Sequence, residues 1–186
     1  SMDTACHRLV VATCARYIFV YDIRNLEKPE QRRESALKHQ TRCIRCYPDG
    51  EGYALGSIEG RVAMEWFDMD PQVQSLKKYA FKCHRSQSNV PEQVLYPVNT
   101  LAFHPRYGTF ATGGSDGFVH VWNMHRRKRL YQLRKYPTSI SSLSFNATGN
   151  MMAIASSYTW EEEDKEHPPD QVFIRTVHEE DVTPKG

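Results

Sequence analysis

Three stretches of this chain repeat one plan. "VATCARYIFVYDI" (11–23), "ALGSIEGRVAMEWFD" (54–68) and "ATGGSDGFVHVWN" (111–123) each pass from small residues through a polar turn into an alternating apolar run. Each then closes on an aromatic residue followed by Asp or Asn: Tyr21-Asp22, Phe67-Asp68 and Trp122-Asn123, spaced by about 46 and 55 residues. A unit of this size cannot bury its apolar surface alone, so copies must stack, and a four-stranded propeller blade recurs every ~40–45 residues before insertions. Further strand-like runs lie between and after the repeats: "TRCIRCY", "VNTLAFHP", "RLYQL", "ISSLSFN" and "QVFIRTV". The pattern predicts an all-β fold of about three to four blades.

The third copy shows why stacking is required. Gly113, Gly114 and Gly117 offer the backbone freedom of a tight hairpin, and Asp116 can accept from N–H groups inside it. Along "FVHVWN" side chains alternate, so Phe118, His120 and Trp122 share one face while Val119 and Val121 share the other. Both faces carry groups that favour burial. A blade with neighbours on both sides accommodates that pattern, and the Trp122 indole N–H then needs an internal acceptor.

Composition removes several function classes. With 186 residues, 40% of them hydrophobic, the chain can build one packed domain. No run approaches the ~18 apolar residues of a membrane span, and the first residues hold no hydrophobic signal core. Ser1-Met2 reads as an expression-tag scar. A net charge of +2 falls short of the footprint of a dedicated nucleic-acid binder, so nucleic acid is not an expected partner and any basic patch is local.

The five cysteines, Cys6, Cys14, Cys43, Cys46 and Cys83, lack framework spacing and read as buried thiols of a reducing compartment. Cys43-x-x-Cys46 in a strand would place its thiols on opposite faces, and no second ligand pair sits nearby, so no metal or other cofactor is expected. Nucleophile-elbow, Walker and zincin signatures are missing, which argues against an enzyme. "HRRKR" (125–129) reads as a solvated turn between two strands, and "WEEEDKEHPPD" (160–170) as a surface loop.

Three cations lie inside the repeats rather than in the loops: Arg42 in "QTRCIR", Arg61 in "EGRVAME" and Lys82 in "AFKCHR". A cation in mid-blade has little water around it and needs an anion. Internal candidates are Glu59 or Glu65 for Arg61 and Glu34 for Arg42. The other source is a partner molecule.

The stretches "QRRESALKHQTRCIR", "GYALGSIEGRVAMEWFD", "KKYAFKCHR", "YPVNTLAFHP", "FATGGSDGFVHVWN", "KRLYQLRKYPTSISSLSF" and "EHPPDQVFIR" closely resemble the Bub-family mitotic checkpoint WD40 proteins. A sister family, the WD40 messenger-RNA export factors that hold a nucleoporin segment and contact RNA, resembles "LKHQ", "ALGSIEGRVA", "FKCHR" and "AFHP" equally well. "QTRCIR", "KKYAF", "YPVN", "ATGGSDGFV", "RKYPTSI" and "EHPPD" look like the checkpoint family and make it the preferred reading.

The resemblance implies a seven-bladed WD40 β-propeller of which residues 1–186 are the C-terminal portion, an incomplete ring whose terminal blade faces are expected to self-associate or to pair with the rest of the ring. It implies a non-catalytic spindle assembly checkpoint adaptor, nuclear and at kinetochores in mitosis. Its expected partners are a checkpoint kinase and a related pseudokinase, bound through a short acidic segment, and a phosphorylated kinetochore scaffold. By this resemblance Arg42, Arg61 and Lys82 match basic residues that contact acidic and phosphorylated peptides, and the chain by itself is expected to bind them weakly or not at all. His84, Asp116 and Trp122 match a hydrogen-bonded set that WD40 blades use to tie loop to strand.

Overall fold

The structure, a computed structural model, describes residues 1–86 and 93–183. They fall into two compact units, Ser1–Pro97 and Val98–Gly186. In the first unit, β1 (Met2–Ala5), β2 (Arg8–Ala12), β3 (Tyr17–Asp22) and β4 (Gln31–Glu34) form one antiparallel sheet. Next, β5 (Thr41–Cys46), β6 (Gly52–Ser57), β7 (Arg61–Trp66) and β8 (Tyr79–Lys82) form a second, with α1 (Pro71–Lys77) joining β7 to β8. The second unit holds a sheet of β9 (Val98–Phe103), β10 (Thr109–Gly114), β11 (Val119–Asn123) and β12 (Lys128–Gln132). Its other sheet has three strands, β13 (Ile140–Phe145), β14 (Met151–Ser156) and β15 (Gln171–Thr176), followed by α2 (Glu179–Val182). In every sheet, strands that are consecutive in sequence are hydrogen-bonded neighbours. Four such meanders are the content of an incomplete WD40 β-propeller. Among the described residues no helix is long and apolar enough to cross a membrane.

Within each unit the two sheets pack face to face. Val10, Ile18 and Val20 of the first sheet meet Ile44, Leu55 and Ala63 of the second in one buried cluster. In the second unit Val119 and Val121 meet Leu143, Met152 and Ile154 in the same way. A polar tie recurs beside these cores. The Asp3 carboxylate accepts from the Cys46 N–H at 2.7 Å, and Thr100 Oγ1 accepts from the Leu143 N–H at 3.2 Å. In both cases a side chain on the first strand of one sheet satisfies main chain on the first strand of the next. Ser1 and Met2 take part as well: Ser1 Oγ accepts from the Ile44 N–H, and Met2 pairs with Val11.

Several sequence expectations need correction. Gly113 and Gly114 lie in β10 rather than in the turn, and of the three glycines only Gly117, at φ +77°, needs the left-handed region. Gly113 has a different reason to be glycine: a Cβ there would come within 2.4 Å of Ile140 Cγ2 on β13, so the bare backbone allows the sheets to approach. Cys43, Cys46 and Cys83 are buried, but Cys6 and Cys14 are exposed, because both occupy hairpin turns instead of strands. The helix α1 was not anticipated. Its signal is Asp70-Pro71, where the Asp70 carboxylate accepts from the Gln72 N–H at 2.7 Å and proline fills the first helical position.

Residues 125–127 lie in an exposed turn between β11 and β12, with Lys128 and Arg129 opening β12, and 160–170 form an exposed connection between β14 and β15.

Candidate functional site

Arg42, Arg61 and Lys82 all stand at one end of the second sheet, where β5 and β7 begin and β8 ends. Arg61 and Lys82 are direct cross-strand partners, so their side chains leave the same face. Arg42 occupies a register shift between Thr41 and Cys43, the extra residue of a bulge, and a bulge re-aims the side chain it carries. The same shift recurs at the first strand of other sheets, where it carries Asn99 and Ser141. Position in the sheet also corrects the mid-blade expectation. Arg42 and Lys82 are exposed and Arg61 is half-buried, so none of these three is sunk uncompensated in the interior.

Of the internal carboxylates, Glu59 does pair with Arg61, its Oε2 lying 3.5 Å from Nε and 3.7 Å from His39 Nε2. Glu65 instead takes Lys78 at 2.9 Å, and Glu34 takes Arg16. The turn bearing Glu59 is held from two sides: Arg85 Nη2 donates to the Glu59 carbonyl at 3.1 Å, and the Cys83 N–H donates to the Gly60 carbonyl at 2.9 Å. The cations therefore stand at a sheet end whose turn is tied by hydrogen bonds, and the partly exposed guanidinium of Arg61 stays open to solvent beside its carboxylate.

Each member of the expected loop-to-strand set is tied into its own surroundings. His84 is buried in the first unit, with its carbonyl accepting from the Tyr96 N–H at 3.0 Å. Asp116 and Trp122 belong to the second, where the Asp116 carboxylate accepts from the Phe118 N–H at 3.1 Å. The acceptor that the Trp122 indole requires is Thr112 Oγ1, at 2.9 Å within the same sheet. Alternation along β11 is as read: His120 stacks on Phe118 and meets Trp122 edge-on.

The Cys43 and Cys46 thiols are buried, and burial pushes both up to about 12, which keeps them protonated at neutral pH. One group of potential ligands that the sequence did not suggest is His7, Asp22 and Glu30, whose donor atoms lie within 4.8 Å of one another. Arginines already claim it. Arg24 grips both oxygens of Asp22 and holds that carboxyl far below the usual range, while Arg8 pairs with Glu30 at 3.3 Å.

Comparison with known proteins places these features in a lineage. The WD domain, G-beta repeat model matches residues 79–123. The chain is 60% identical to "Mitotic checkpoint protein BUB3.1" of Arabidopsis thaliana over 185 residues, covering 100% of this chain and 54% of that protein. It is 58% identical to "Mitotic checkpoint protein bub3" of Dictyostelium discoideum over 94% of this chain and 52% of that one. Identity to the "mRNA export factor" of Macaca fascicularis is 40%, over 92% of this chain and 48% of that one. The chain thus spans about half the length of the curated relatives it matches. With these two checkpoint relatives at 58–60% identity over nearly the whole chain and the export factor at 40%, the chain belongs to the Bub-family mitotic checkpoint WD40 proteins.

Proposed function

We propose that this chain serves a non-catalytic adaptor of the spindle assembly checkpoint, acting in the nucleus and at mitotic kinetochores, and that the end of its second sheet receives acidic and phosphorylated peptides. One observation carries the reading: Arg61 and Lys82 are cross-strand neighbours, and the bulge at Arg42 lies at the same strand end. A guanidinium offers phosphate or carboxylate two parallel N–H groups, and lysine adds a compact charge. A phosphothreonine brings nearly two negative charges, enough to compete with the single carboxylate of Glu59 for Arg61.

In this reading a disordered acidic segment of a checkpoint kinase, or of its pseudokinase relative, and a phosphorylated motif of a kinetochore scaffold bind the same platform. Each contact is weak alone, and holding both together raises the effective concentration of kinase at the scaffold.

Calorimetric titration of a full-length version of the protein with a phosphothreonine peptide and its unphosphorylated twin tests this. Arg61→Ala removes a charged hydrogen-bonding partner worth about 1.5–3 kcal/mol, roughly 10- to 100-fold in affinity, and should weaken the phosphopeptide far more than its twin. Equal phosphopeptide affinity in variant and parent refutes the assignment. Recovery of nucleoporin and messenger RNA, rather than checkpoint kinases, on the chain from dividing cells would replace it with the export reading.

A further inference from the structure

The connection between β14 and β15 carries a feature that peptide docking at the second sheet does not use. Three rings gather there: Tyr158 and Trp160 at 5.7 Å between centroids, Tyr158 and His167 at 5.0 Å, and Trp160 and His167 edge-on at 6.0 Å. Tyr158 is buried and anchors the loop, its hydroxyl accepting from the Glu162 N–H at 2.8 Å and donating to the Glu163 carbonyl at 3.1 Å. A second anchor is the Glu161 carboxylate, which accepts from Ser139 Oγ at 2.6 Å. These contacts leave Trp160 63% exposed, in a left-handed backbone conformation at φ +59°. A large ring held mostly out to water on left-handed backbone is costly to keep there beyond its contacts with Tyr158 and His167, and such strain clusters at ligand-contacting positions.

The cluster already shows which ligand it prefers. Lys165 Nζ lies 5.2 Å from the centre of the Tyr158 ring and pairs with Glu162, so a cation over an aromatic face beside a carboxylate is the arrangement the loop adopts with its own chain. Around it the charge is one-sided: residues 160–170 hold six carboxylates and a single lysine in a chain whose net charge is +2. Glu163, Asp164 and Glu166 are exposed. Aromatic faces with a carboxylate rim complement lysine and arginine side chains by both cation–π attraction and charge.

We propose that the Tyr158, Trp160 and His167 rings form a docking surface for a lysine- or arginine-rich peptide segment of a partner protein, which displaces Lys165 from the Tyr158 face. The site shares no residue with Arg42, Arg61 and Lys82 and takes the opposite charge.

The three tryptophans make the test direct, because Trp66 and Trp122 are only 8% and 9% exposed and Trp160 dominates the quenchable fluorescence. The whole chain is titrated with a fluorescein-labelled 12-residue Lys/Arg peptide, following anisotropy and acrylamide quenching together. Binding should shield Trp160, weaken at least tenfold in Trp160→Ala, weaken with added salt, and tighten several-fold in Lys165→Gln, which vacates the ring face. Trp160→Ala alters an exposed side chain, so an unchanged melting curve accompanies the loss. The proposal is overturned if the peptide does not bind at millimolar concentration, or if Trp160 remains fully quenchable in the complex. It is also overturned if Glu-rich or uncharged peptides bind as well, if Trp160→Ala binds like the parent, or if Lys165→Gln fails to tighten binding.

Discussion

Gly113→Ala probes how the sheets of the second unit are held together. The added methyl would sit 2.4 Å from Ile140 Cγ2, 2.9 Å from Ile140 Cβ and 2.9 Å from Thr100 Cγ2. Ordinary carbon contacts lie near 3.5–4.0 Å, so Ile140 must retreat by about 1 Å. It has little room. Ile140 is fully buried, stiff at χ1, and paired in β13 with Ser156, so the strain falls on packed backbone instead of a mobile chain end. Overpacking of this kind costs about 1–3 kcal/mol, offset by about 0.4–1 kcal/mol because alanine restricts the unfolded chain. A net loss of about 1–2 kcal/mol should move a urea midpoint by about 0.5–1 M for a slope near 2 kcal/mol/M. Urea unfolding of Gly113→Ala, Ile140→Ala and the double variant completes a cycle. Ile140→Ala deletes the clashing Cγ2, so the alanine at 113 should cost clearly less in that background. An unshifted midpoint in Gly113→Ala, or strictly additive losses, would refute contact between the sheets through this glycine.

Two further outcomes are expected. His104 is buried with Nδ1 facing the Arg106 and Tyr107 N–H groups and Nε2 3.1 Å from the Gly149 carbonyl, and burial lowers its pKa. The unfolded imidazole therefore protonates first: stability is full above about pH 6.5 and falls as pH drops through that value toward the lower native one. Urea midpoints of the parent between pH 8 and 5 should fall more steeply than those of His104→Asn, and parallel curves would count against this role. Arg33 bridges the sheets of the first unit, with Nη1 donating to the Trp66 carbonyl at 2.6 Å and Nη2 to the Phe67 carbonyl at 2.8 Å. Lysine cannot reach both, so Arg33→Lys should lower stability by about 1–3 kcal/mol in the same assay, and an unchanged midpoint would show that the bridge contributes nothing.

What could be read from the chain was local. Alternation along "FVHVWN", the hairpin at Asp116-Gly117 and the blade spacing depend on residues within a few positions of one another, and each has its counterpart in β10 and β11. The solvated turn at residues 125–127 followed from its charge and from the strands beside it, although Lys128 and Arg129 of the same run open β12. Choosing Arg42, Arg61 and Lys82 as site candidates needed only their residue types and the family pattern.

Their geometry needed the fold. Strand register decides that Arg61 faces Lys82, and register depends on the length of the β7–β8 connection, including a helix that no hydrophobic period announced. The Arg42 bulge arises from two strands being matched against each other, which neither sequence contains alone. Likewise, Gly113 looked like a turn residue until Ile140, distant in the chain, proved to be packed against it. Trp160 sat in a segment that read as merely charged, and only the anchoring of Tyr158 and Glu161 turns it outward. The chain by itself determined that it would form stacked antiparallel blades, because repeat length and side-chain alternation are properties of short segments. Tertiary structure decided which charges share a face, which glycine admits a neighbouring sheet and which aromatic ring meets water, because each depends on residues that only folding brings together.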